Sequence, residues 1–352
     1  MWHFVVLILC AVAIYLACEW FVNAVEWLGQ RLNVGKMAVG TILAAFGTAL
    51  PESVVTLVAV TTGKTEAARD IGVGAALGGP LALATVAYGA TGIVLLLHRR
   101  RQPAAATLTV RTRAVAPPAP ASLVLDRAGD QRRLIKDQTW FLSIFVVKVV
   151  LGLVAFAVKP ALGLVFFAIY AVYFWRELRG GDEATDGEPE ALEPLKLQPS
   201  ATSPSNWAVA TQTLATLIVI FVASQLFVKQ LNAIGPMLGL SGAVTALLLS
   251  PIATELPELM NAIIWVRQGK TQLALANISG SMMIQATVPS GLGLLFTNWR
   301  FDHALLWSGL ITMTAIGYLL ATLRAGRLTP ARLGLAAGFY LVFALGLVPI
   351  LA

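Results

Sequence analysis

Long apolar runs, separated by short polar or Gly/Pro breaks, recur along the whole chain. Each run is about twenty residues long, which is the length of helix that crosses the hydrocarbon core of a bilayer. The runs predict ten membrane helices, near residues 3–28, 35–61, 69–98, 139–158, 161–176, 207–230, 241–266, 272–297, 303–323 and 332–351. The predicted fold is therefore an all-α integral membrane protein.

The composition of the 352-residue chain supports this prediction, because 57% of its residues are hydrophobic and only 12% are charged. A soluble domain carries roughly 25% charged residues. The runs are continuous rather than alternating, which argues against a membrane β-barrel. The first run has no basic region before it and no cleavage site after it, so it is predicted to be a membrane helix and not a signal peptide. Cys10 and Cys18 both lie within this run and indicate no disulfide framework.

Two long connections interrupt the helical pattern. Residues 99–138 are basic and rich in Ala and Pro, and residues 177–206 are acidic and rich in Gly, Pro and Ser. Both are predicted to be loosely held linkers, because neither has the apolar residues to bury a core. They separate residues 1–98 with helices one to three, residues 139–176 with helices four and five, and a last part with helices six to ten. This last part comprises residues 207–297 with helices six to eight and residues 298–352 with helices nine and ten.

Basic residues are distributed unevenly between the two sides of the predicted membrane. Most of the 25 Lys and Arg residues lie in loops that follow odd-numbered helices, including both linkers. The positive-inside rule makes these loops cytoplasmic and places both termini outside, in a multi-pass protein of the cell membrane. The net charge of +7 is explained in this way, so a nucleic-acid partner is not expected.

The two halves of the chain are related in sequence. Residues 17–65 align with residues 223–271 without a gap, and the alignment matches "LPE" with "LPE" and "GKT" with "GKT". Because each half carries five predicted helices, an odd number, the two copies enter the membrane in opposite directions. Inverted repeats with interrupted helices are typical of secondary transporters, whose ion site lies at the midplane where the repeats meet.

Each copy places a proline next to a glutamate inside an apolar run. Pro51 and Pro257 lack a backbone N–H, so each is expected to leave one carbonyl free a turn earlier. An ionisable residue deep in a membrane span usually has a function, which favours a role for Glu52 and Glu258 in ion binding. The structural alternative is a carboxylate that extends to the membrane surface or pairs with a lysine. Carbonyls, hydroxyls and carboxylates are hard oxygen ligands that suit Ca²⁺, Mg²⁺, Na⁺ or H⁺. The side-chain donors in the two motifs are Thr48, Glu52, Thr254 and Glu258.

The motifs "GTALPE" and "ATELPE", each followed by "GKT" and in the second half by "ALANISGSMMIQ", resemble the two α-repeats of the calcium/cation antiporter superfamily. The pattern of that family is roughly G-T-S-x-P-E followed by G-N-x-x-G-S-N-x-x-N/D. The resemblance covers about half of the chain. It implies that the Thr, Ser and Glu of each first motif, and the Ser and Asn or Asp of each second motif, line a cluster of Na⁺ and Ca²⁺ sites.

The resemblance implies an asymmetric site in this chain. The second half keeps most of the family's ligands and has Glu255 and Gln285 where Ser and Asn or Asp are usual. The first half is degenerate, because residues without a side-chain oxygen replace the family's ligands at Ala49, Ala75, Gly79, Pro80 and Leu83. The implied cation site comprises Thr48, Glu52, Thr254, Glu255, Glu258, Asn277, Ser281 and Gln285.

Several polar residues within the spans have structural alternatives. Glu255 could face a cytoplasmic vestibule instead of the site. Asn277 and Ser281 could serve only to bond across helices, as polar residues in membrane bundles do. Lys148, in the middle of helix four, either snorkels to the interface or pairs with an acid.

The sequence predicts a secondary antiporter and not an enzyme, because no Ser/His, Asp/Asp or His-rich constellation occurs within the spans. Three neighbouring carboxylates cannot all ionise cheaply without a cation between them, so at least one is expected to hold a proton when the site is empty. This favours exchange of Ca²⁺ or another cation for H⁺ or Na⁺, with no cofactor. A cation channel or a transport-silent homologue is the alternative, because the first repeat has lost ligands.

Overall fold

The computed structural model describes residues 2–35, 38–62, 66–101, 124–125, 128–179, 192–237, 239 and 248–351. These residues are predominantly helical and include no β-strand, which confirms the all-α prediction. The first "GKT" turn and the start of the seventh predicted span lie outside them. Within the described residues, six helical segments are long and apolar enough to cross a membrane, namely Trp2–Arg31, Val73–His98, Lys159–Arg179, Asn206–Gly235, His303–Arg324 and Pro330–Ile350. The count of ten membrane helices stays a prediction.

The first half contains α1 (Trp2–Arg31), α2 (Ala45–Thr62), α3 (Glu66–Ala82), α4 (Tyr88–Arg101), α5 (Ala128–Leu153) and α6 (Leu162–Arg179). The first half also contains two π-helical segments. Val39–Ala44 leads directly into α2, and Leu83–Ala87 joins α3 to α4. The second half contains α7 (Asn206–Met237), α8 (Ser250–Thr254), α9 (Leu256–Arg267), α10 (Thr271–Phe296), α11 (His303–Arg324), α12 (Pro330–Gly334) and α13 (Ala336–Leu351).

Helix α10 lies at the centre of the bundle and packs against α2, α3, α5, α6 and α9. Its small residues allow other backbones to approach closely, as is common between membrane helices. A Cβ atom on Gly280 would lie 2.2 Å from the carbonyl oxygen of Thr41, and one on Gly40 would lie 2.7 Å from the Cβ atom of Ala276. The π-helical segment before α2 therefore touches α10 almost backbone to backbone.

Helices α1 and α7 pack along each other beside this core. Both expose apolar side chains on their outer faces, including Ile8 and Leu9 on α1 and Leu214 and Ile218 on α7. Apolar side chains exposed along a whole helix are expected where lipid covers the protein.

The basic connection is shorter than the sequence predicts. Helix α5 begins at Ala128, inside the predicted linker 99–138, and ends at Leu153, before the predicted end of the span. The sequence does not predict the first turns of α5 because charged residues stand next to the buried ones. Of the buried residues, Leu134 and Gln138 are about 1% exposed. The backbone N–H of Val124 also donates to the carbonyl of Leu328 (2.9 Å).

The end of the acidic connection is also packed onto the helices. The Trp27 indole on α1 donates to the carbonyl of Glu193 (2.9 Å), and the Asn23 amide donates to that of Pro194 (3.2 Å). Leu195 is buried in a small apolar cluster between α1 and α7. Residues 192–205 therefore hold these two helices together, which the polar composition of segment 177–206 does not predict.

Loops that the charge pattern assigns to one side lie at the same end of the bundle. At one end, the bond from Val124 to Leu328 joins the basic connection to the loop after α11. At the other end, the Lys159 ammonium donates to the carbonyl of Trp299 (2.8 Å), which joins the loop after α5 to the loop after α10. These two ends are separated by the length of α11.

Candidate functional site

The two proline–glutamate motifs have different backbones. Helix α2 continues through Pro51, and the chain departs from α-helical geometry before it, in the π-helical segment. In the second half the helix is interrupted at Glu255 (φ −87°, ψ 8°), between α8 and α9. Pro257 lies in the first turn of α9, where a missing N–H costs nothing. The sequence predicts a similar break in both copies, and the structure shows it only in the second.

Glu258 lies on α9 and its side chain is 0% exposed. Neither of its carboxylate oxygens has a hydrogen-bond partner among the described residues. The Thr48 hydroxyl lies beside the Glu258 carboxylate, and the Cys18 thiol lies close enough to interact with its negative charge. The buried oxygen Oε2 of Glu52, on α2, is likewise without a described partner. Burying a carboxylate oxygen without a hydrogen-bond donor costs free energy. The Glu52 and Glu258 carboxylates are therefore expected to bind a positively charged ligand.

Glu255 lies close enough to Glu52 and Glu258 for the three carboxylates to repel one another. It also has a protein partner, because the Gln285 amide on α10 donates to both of its carboxylate oxygens at 2.8 Å. Glu255 is 3% exposed, which excludes the alternative of an open vestibule in this conformation.

Gly79 on α3 lies directly against the Glu255–Gln285 pair. A Cβ atom on Gly79 would be 2.5 Å from Gln285 Oε1 and 2.7 Å from Glu255 Oε1. The two larger side chains of the second half therefore occupy the space beside the position where the family resemblance implies a serine. Comparison with the family's sequence pattern reveals these changes one by one, and only the structure shows that they fit each other.

Asn277 and Ser281 lie one turn apart on α10, and both are fully buried. The Asn277 amide nitrogen donates to the backbone carbonyl of Glu258 (3.3 Å). The Asn277 Oδ1 and Ser281 Oγ atoms have no hydrogen-bond partner within the described part of the chain. Thr254, which is half-buried, donates to the carbonyl of Pro251 (3.1 Å), so its hydroxyl oxygen keeps free lone pairs.

Two further polar residues were missed by sequence reasoning. Asn261 is fully buried on α9, and neither its amide nitrogen nor its amide oxygen has a described partner. Thr56 Oγ1 on α2 is in the same situation. They follow Glu258 and Glu52 by three and four residues, so each lies on the same helical face as its glutamate. That spacing was the available signal.

The assembled groups are oxygen donors: carboxylates, amide oxygens and hydroxyls. Such a set is suited to a hard cation and not to a thiolate- or imidazole-seeking metal. Among the described residues no three His, Cys, Asp or Glu side chains converge tightly enough to hold a metal ion by themselves. A cation here would therefore also take neutral oxygens, such as those of Asn277 and Ser281.

Comparison with known proteins places the chain in a family. The model of the sodium/calcium exchanger protein family matches residues 2–178 and 209–348. CaxA of Alkalimonas amylolytica, a proposed antiporter, is 25% identical over 315 residues, which cover 88% of this chain and 86% of CaxA.

Solved structures of the sodium–calcium exchanger NCX_Mj show the same fold. A crystal soaked with Na⁺ and Sr²⁺ superposes with a TM-score of 0.71 at 18% identity and covers 97% of each chain. One soaked without Na⁺ and Ca²⁺ gives 0.71 at 19% identity and covers 98% of each chain. With a family match over most of its length, the chain belongs to the sodium/calcium exchanger family.

Proposed function

We propose that the protein is a secondary antiporter that exchanges Ca²⁺ or another cation for H⁺ or Na⁺ by alternating access. Membership of an exchanger family supports cation antiport in general. The observation that carries the proposal for this chain is the pair of carboxylates, one from each repeat. Glu52 and Glu258 approach each other inside the bundle and leave buried oxygens without a described donor.

The proposed cation ligands are the eight residues that the sequence singles out. Glu52, Glu255 and Glu258 supply the charge, and the neutral oxygens come from Thr48, Thr254, Asn277, Ser281 and Gln285. We add Asn261 and Thr56 as site-lining residues, because their buried polar atoms lack described partners and would gain one from a hydrated ion.

A proton gradient is the proposed driving force. Several Na⁺ ions need several sets of neutral oxygens. The first-repeat side offers few of them, because Gly79 has no side chain and the Glu255–Gln285 pair occupies the adjacent space. Carboxylates that cannot all remain charged in a small volume can instead exchange a cation for protons.

The proposed topology is ten membrane helices in two inverted repeats of five, with both termini outside and both long connections cytoplasmic. The charge distribution supports it, and so do the two bundle ends at which alternate loops meet. In this arrangement α1 and α7 move as a pair against the core around α10, as one repeat element against another.

The test is uptake by the purified protein in liposomes that contain a Ca²⁺-sensitive dye. Saturable Ca²⁺ accumulation that follows an imposed pH or Na⁺ gradient, and that Glu258→Gln abolishes, is the expected result. Conductance without coupling to either gradient would instead indicate a channel. Absence of any flux from a correctly folded protein would indicate a transport-silent homologue.

A further inference from the structure

Burying a charged side chain costs free energy, so each one that is buried outside the candidate site needs a partner. Lys148 on α5 is fully buried and donates to the backbone carbonyl of Ala76 on α3 (2.6 Å), which has no helical donor because Pro80 lacks an N–H. The ion pairs found among the described residues do not include Lys148. Both expectations from the sequence, extension to the membrane surface and pairing with an acid, are therefore wrong. The Lys148 contact joins two helices of the core, whereas Glu26, which is 8% exposed on α1, joins a helix that moves in the proposed cycle to the core.

The Glu26 carboxylate has two donors, and both belong to the second-repeat core. The indole N–H of Trp265, near the end of α9, donates to Oε1 of Glu26 (2.8 Å). The ammonium of Lys270, in the turn after α9, forms an ion pair with Oε2. Trp265 is fully buried, and the Lys270 side chain is 21% exposed. These three side chains form the Glu26 cluster.

The Glu26 cluster lies between the candidate site and one end of the bundle. The Cys18 thiol on α1 contacts the backbone carbonyl of Pro257, the residue before Glu258 (3.7 Å). Glu26 follows Cys18 by eight residues and Trp265 follows Pro257 by eight residues, so α1 and α9 run side by side in the same direction. Eight helical residues span about 12 Å. The cluster therefore closes the contact between α1 and α9 about 12 Å from the level of the site.

This end of the bundle is the one that the charge pattern makes cytoplasmic. Gln272, the second residue of α10, donates to Asp130 near the start of α5. That part of α5 belongs to the predicted basic connection, and the turn that holds Lys270 follows an odd-numbered predicted helix. Both are expected in the cytoplasm. In the proposed topology the Glu26 cluster thus holds α1 to the core on the cytoplasmic side.

Other polar contacts of α1 bind segments that belong to the same moving unit. The Gln212 amide on α7 donates to Asn23 Oδ1 on α1 (3.1 Å). The Glu19 carboxylate forms an ion pair with Lys196 (2.9 Å), in the segment that holds α1 and α7 together. These contacts lie within the unit, whereas the Glu26 cluster crosses its boundary with the core.

The repeat alignment gives the Glu26 cluster no counterpart at the opposite end. Glu26 aligns with Asn232 and Trp265 aligns with Ala59, so the carboxylate and the indole donor are both replaced, and only the lysine is kept. An inverted repeat places equivalent contacts at opposite ends of the bundle. An ion pair of this kind therefore stabilises closure at one end and cannot form at the equivalent position of the other.

We propose that the Glu26 cluster is a one-sided latch, which stabilises the conformations closed to the cytoplasm and has to open each time the site faces that side. This inference rests on the proposed antiport function and topology and adds a conformational bias to them. Separating α1 from α9 breaks a contact between full charges and the bond from Trp265. Separating α7 from α2 at the other end breaks no equivalent contact. The protein without a bound cation therefore populates outward-facing conformations more than it would without the latch.

The test measures how fast an impermeant thiol reagent modifies Cys18 in the absence of transported cations. Cys18 is fully buried and touches α9, so the reagent reaches it from the cytoplasm only when α1 separates from α9. All variants carry Cys10→Ser, which leaves Cys18 as the only thiol of the chain. Inverted membrane vesicles present the cytoplasmic face of the protein, and intact cells present the outer face.

Glu26→Gln and Lys270→Gln should each raise the labelling rate from the cytoplasm about tenfold, the factor that corresponds to one hydrogen bond between charged groups. The rate from outside should not rise, whereas a general loosening of the helix packing would raise both rates. Lys270→Gln is the variant whose folding is least at risk, because the Lys270 side chain is partly exposed. Reversing the pair, with Glu26→Lys and Lys270→Glu together, restores an ion pair and should bring the cytoplasmic rate back toward that of the wild type.

Glu19→Gln is the matched control. Glu19 lies on the same helix and also forms an ion pair, but its partner Lys196 belongs to the moving unit. The same substitution at this position removes a charge from α1 without touching the boundary with the core. Its labelling rate should equal that of the wild type from both sides.

The proposal is overturned if both single variants are labelled from the cytoplasm at the wild-type rate. Equal acceleration by Glu19→Gln, acceleration from outside, or a reversed pair that stays as fast as the single variants would also refute it. Antiport is measured separately, as gradient-driven Ca²⁺ accumulation by the wild type in liposomes. A wild type that accumulates Ca²⁺ keeps the proposed function whatever the labelling rates are, and one that does not refutes that function.

Discussion

Gly79→Ala tests whether the Glu255–Gln285 pair shapes the site. The added methyl carbon would lie 2.5 Å from Gln285 Oε1, whereas an ordinary contact begins at 3.4 Å. The Gln285 side chain would have to retreat by roughly 1 Å, which is enough to break hydrogen bonds of 2.8 Å. Overpacking and the lost bonds to a carboxylate together cost about 3 kcal/mol.

We expect Gly79→Ala to lower both the thermal stability of the purified protein and its Ca²⁺ uptake. An energy of this size corresponds to roughly a hundredfold in an equilibrium constant. Gly74→Ala is the control, because Gly74 lies on the same helix and an added Cβ would meet nothing within 4 Å. It should be neutral or slightly stabilising, since alanine is the better helix former.

A second substitution separates local crowding from a general defect of α3. Gln285→Asn introduces one of the residues usual in the family and shortens the side chain by one methylene, which makes room for the new methyl group. The double variant should therefore regain stability relative to Gly79→Ala. Equal thermal stability of Gly79→Ala and Gly74→Ala would contradict the packing of the Glu255–Gln285 pair against α3. So would a double variant that is no more stable than Gly79→Ala.

Three other predictions concern the site and the topology. Glu258→Gln should abolish Ca²⁺ uptake and Glu52→Gln should lower it by about a hundredfold, because each removes a charge from a site with few neutral ligands; normal uptake by both at matched expression would exclude the site. Cysteine at Ala157 should react with an impermeant thiol reagent from outside, and cysteine at Ala325 only from the cytoplasm, since both positions are exposed and both native thiols are buried; labelling of both from one side would refute the inverted topology. Uptake should follow a pH gradient more closely than a Na⁺ gradient, and Glu255→Ser, which restores the family's residue, should shift its pH optimum; transport driven by Na⁺ alone and unaffected by pH between about 6 and 8 would contradict the proton proposal.

The sequence was sufficient to predict the fold class and most helix positions, because membrane helices must satisfy their backbone groups internally and so appear as long apolar runs. It failed where polar segments pack onto the bundle. Trp27 and Asn23 bind the backbone of residues 193–194, and a backbone carbonyl carries no sequence signal. The start of α5 was not predicted for a related reason, because its buried Leu134 and Gln138 are flanked in sequence by charged residues.

The candidate site was predictable residue by residue but not as an arrangement. Repeat alignment identified Glu52 and Glu258, and the family resemblance implied that side-chain oxygens are lost at Gly79 and Pro80. Neither could reveal that Gln285 binds both oxygens of Glu255, because that contact depends on how two successive helices pack against each other. Asn261 and Thr56 follow the two glutamates at helical spacing, so the sequence offered a signal for them. Only the lack of described hydrogen-bond partners in the folded bundle distinguishes them from other polar residues of these helices.

The substitutions in the two repeats are better understood as one coordinated change than as decay of the first repeat. An inverted repeat brings two equivalent ligand sets into one small volume, so each set limits the space of the other. Loss of a side chain at Gly79 leaves room that Glu255 and Gln285 occupy, and the proline that follows exposes a carbonyl that Lys148 fills. Random decay would leave cavities and unpaired groups at these positions. Instead, the side chain lost at Gly79 and the backbone bond lost at Pro80 are each matched by a group that contacts the vacated place, which is the pattern expected of coordinated change at these two positions.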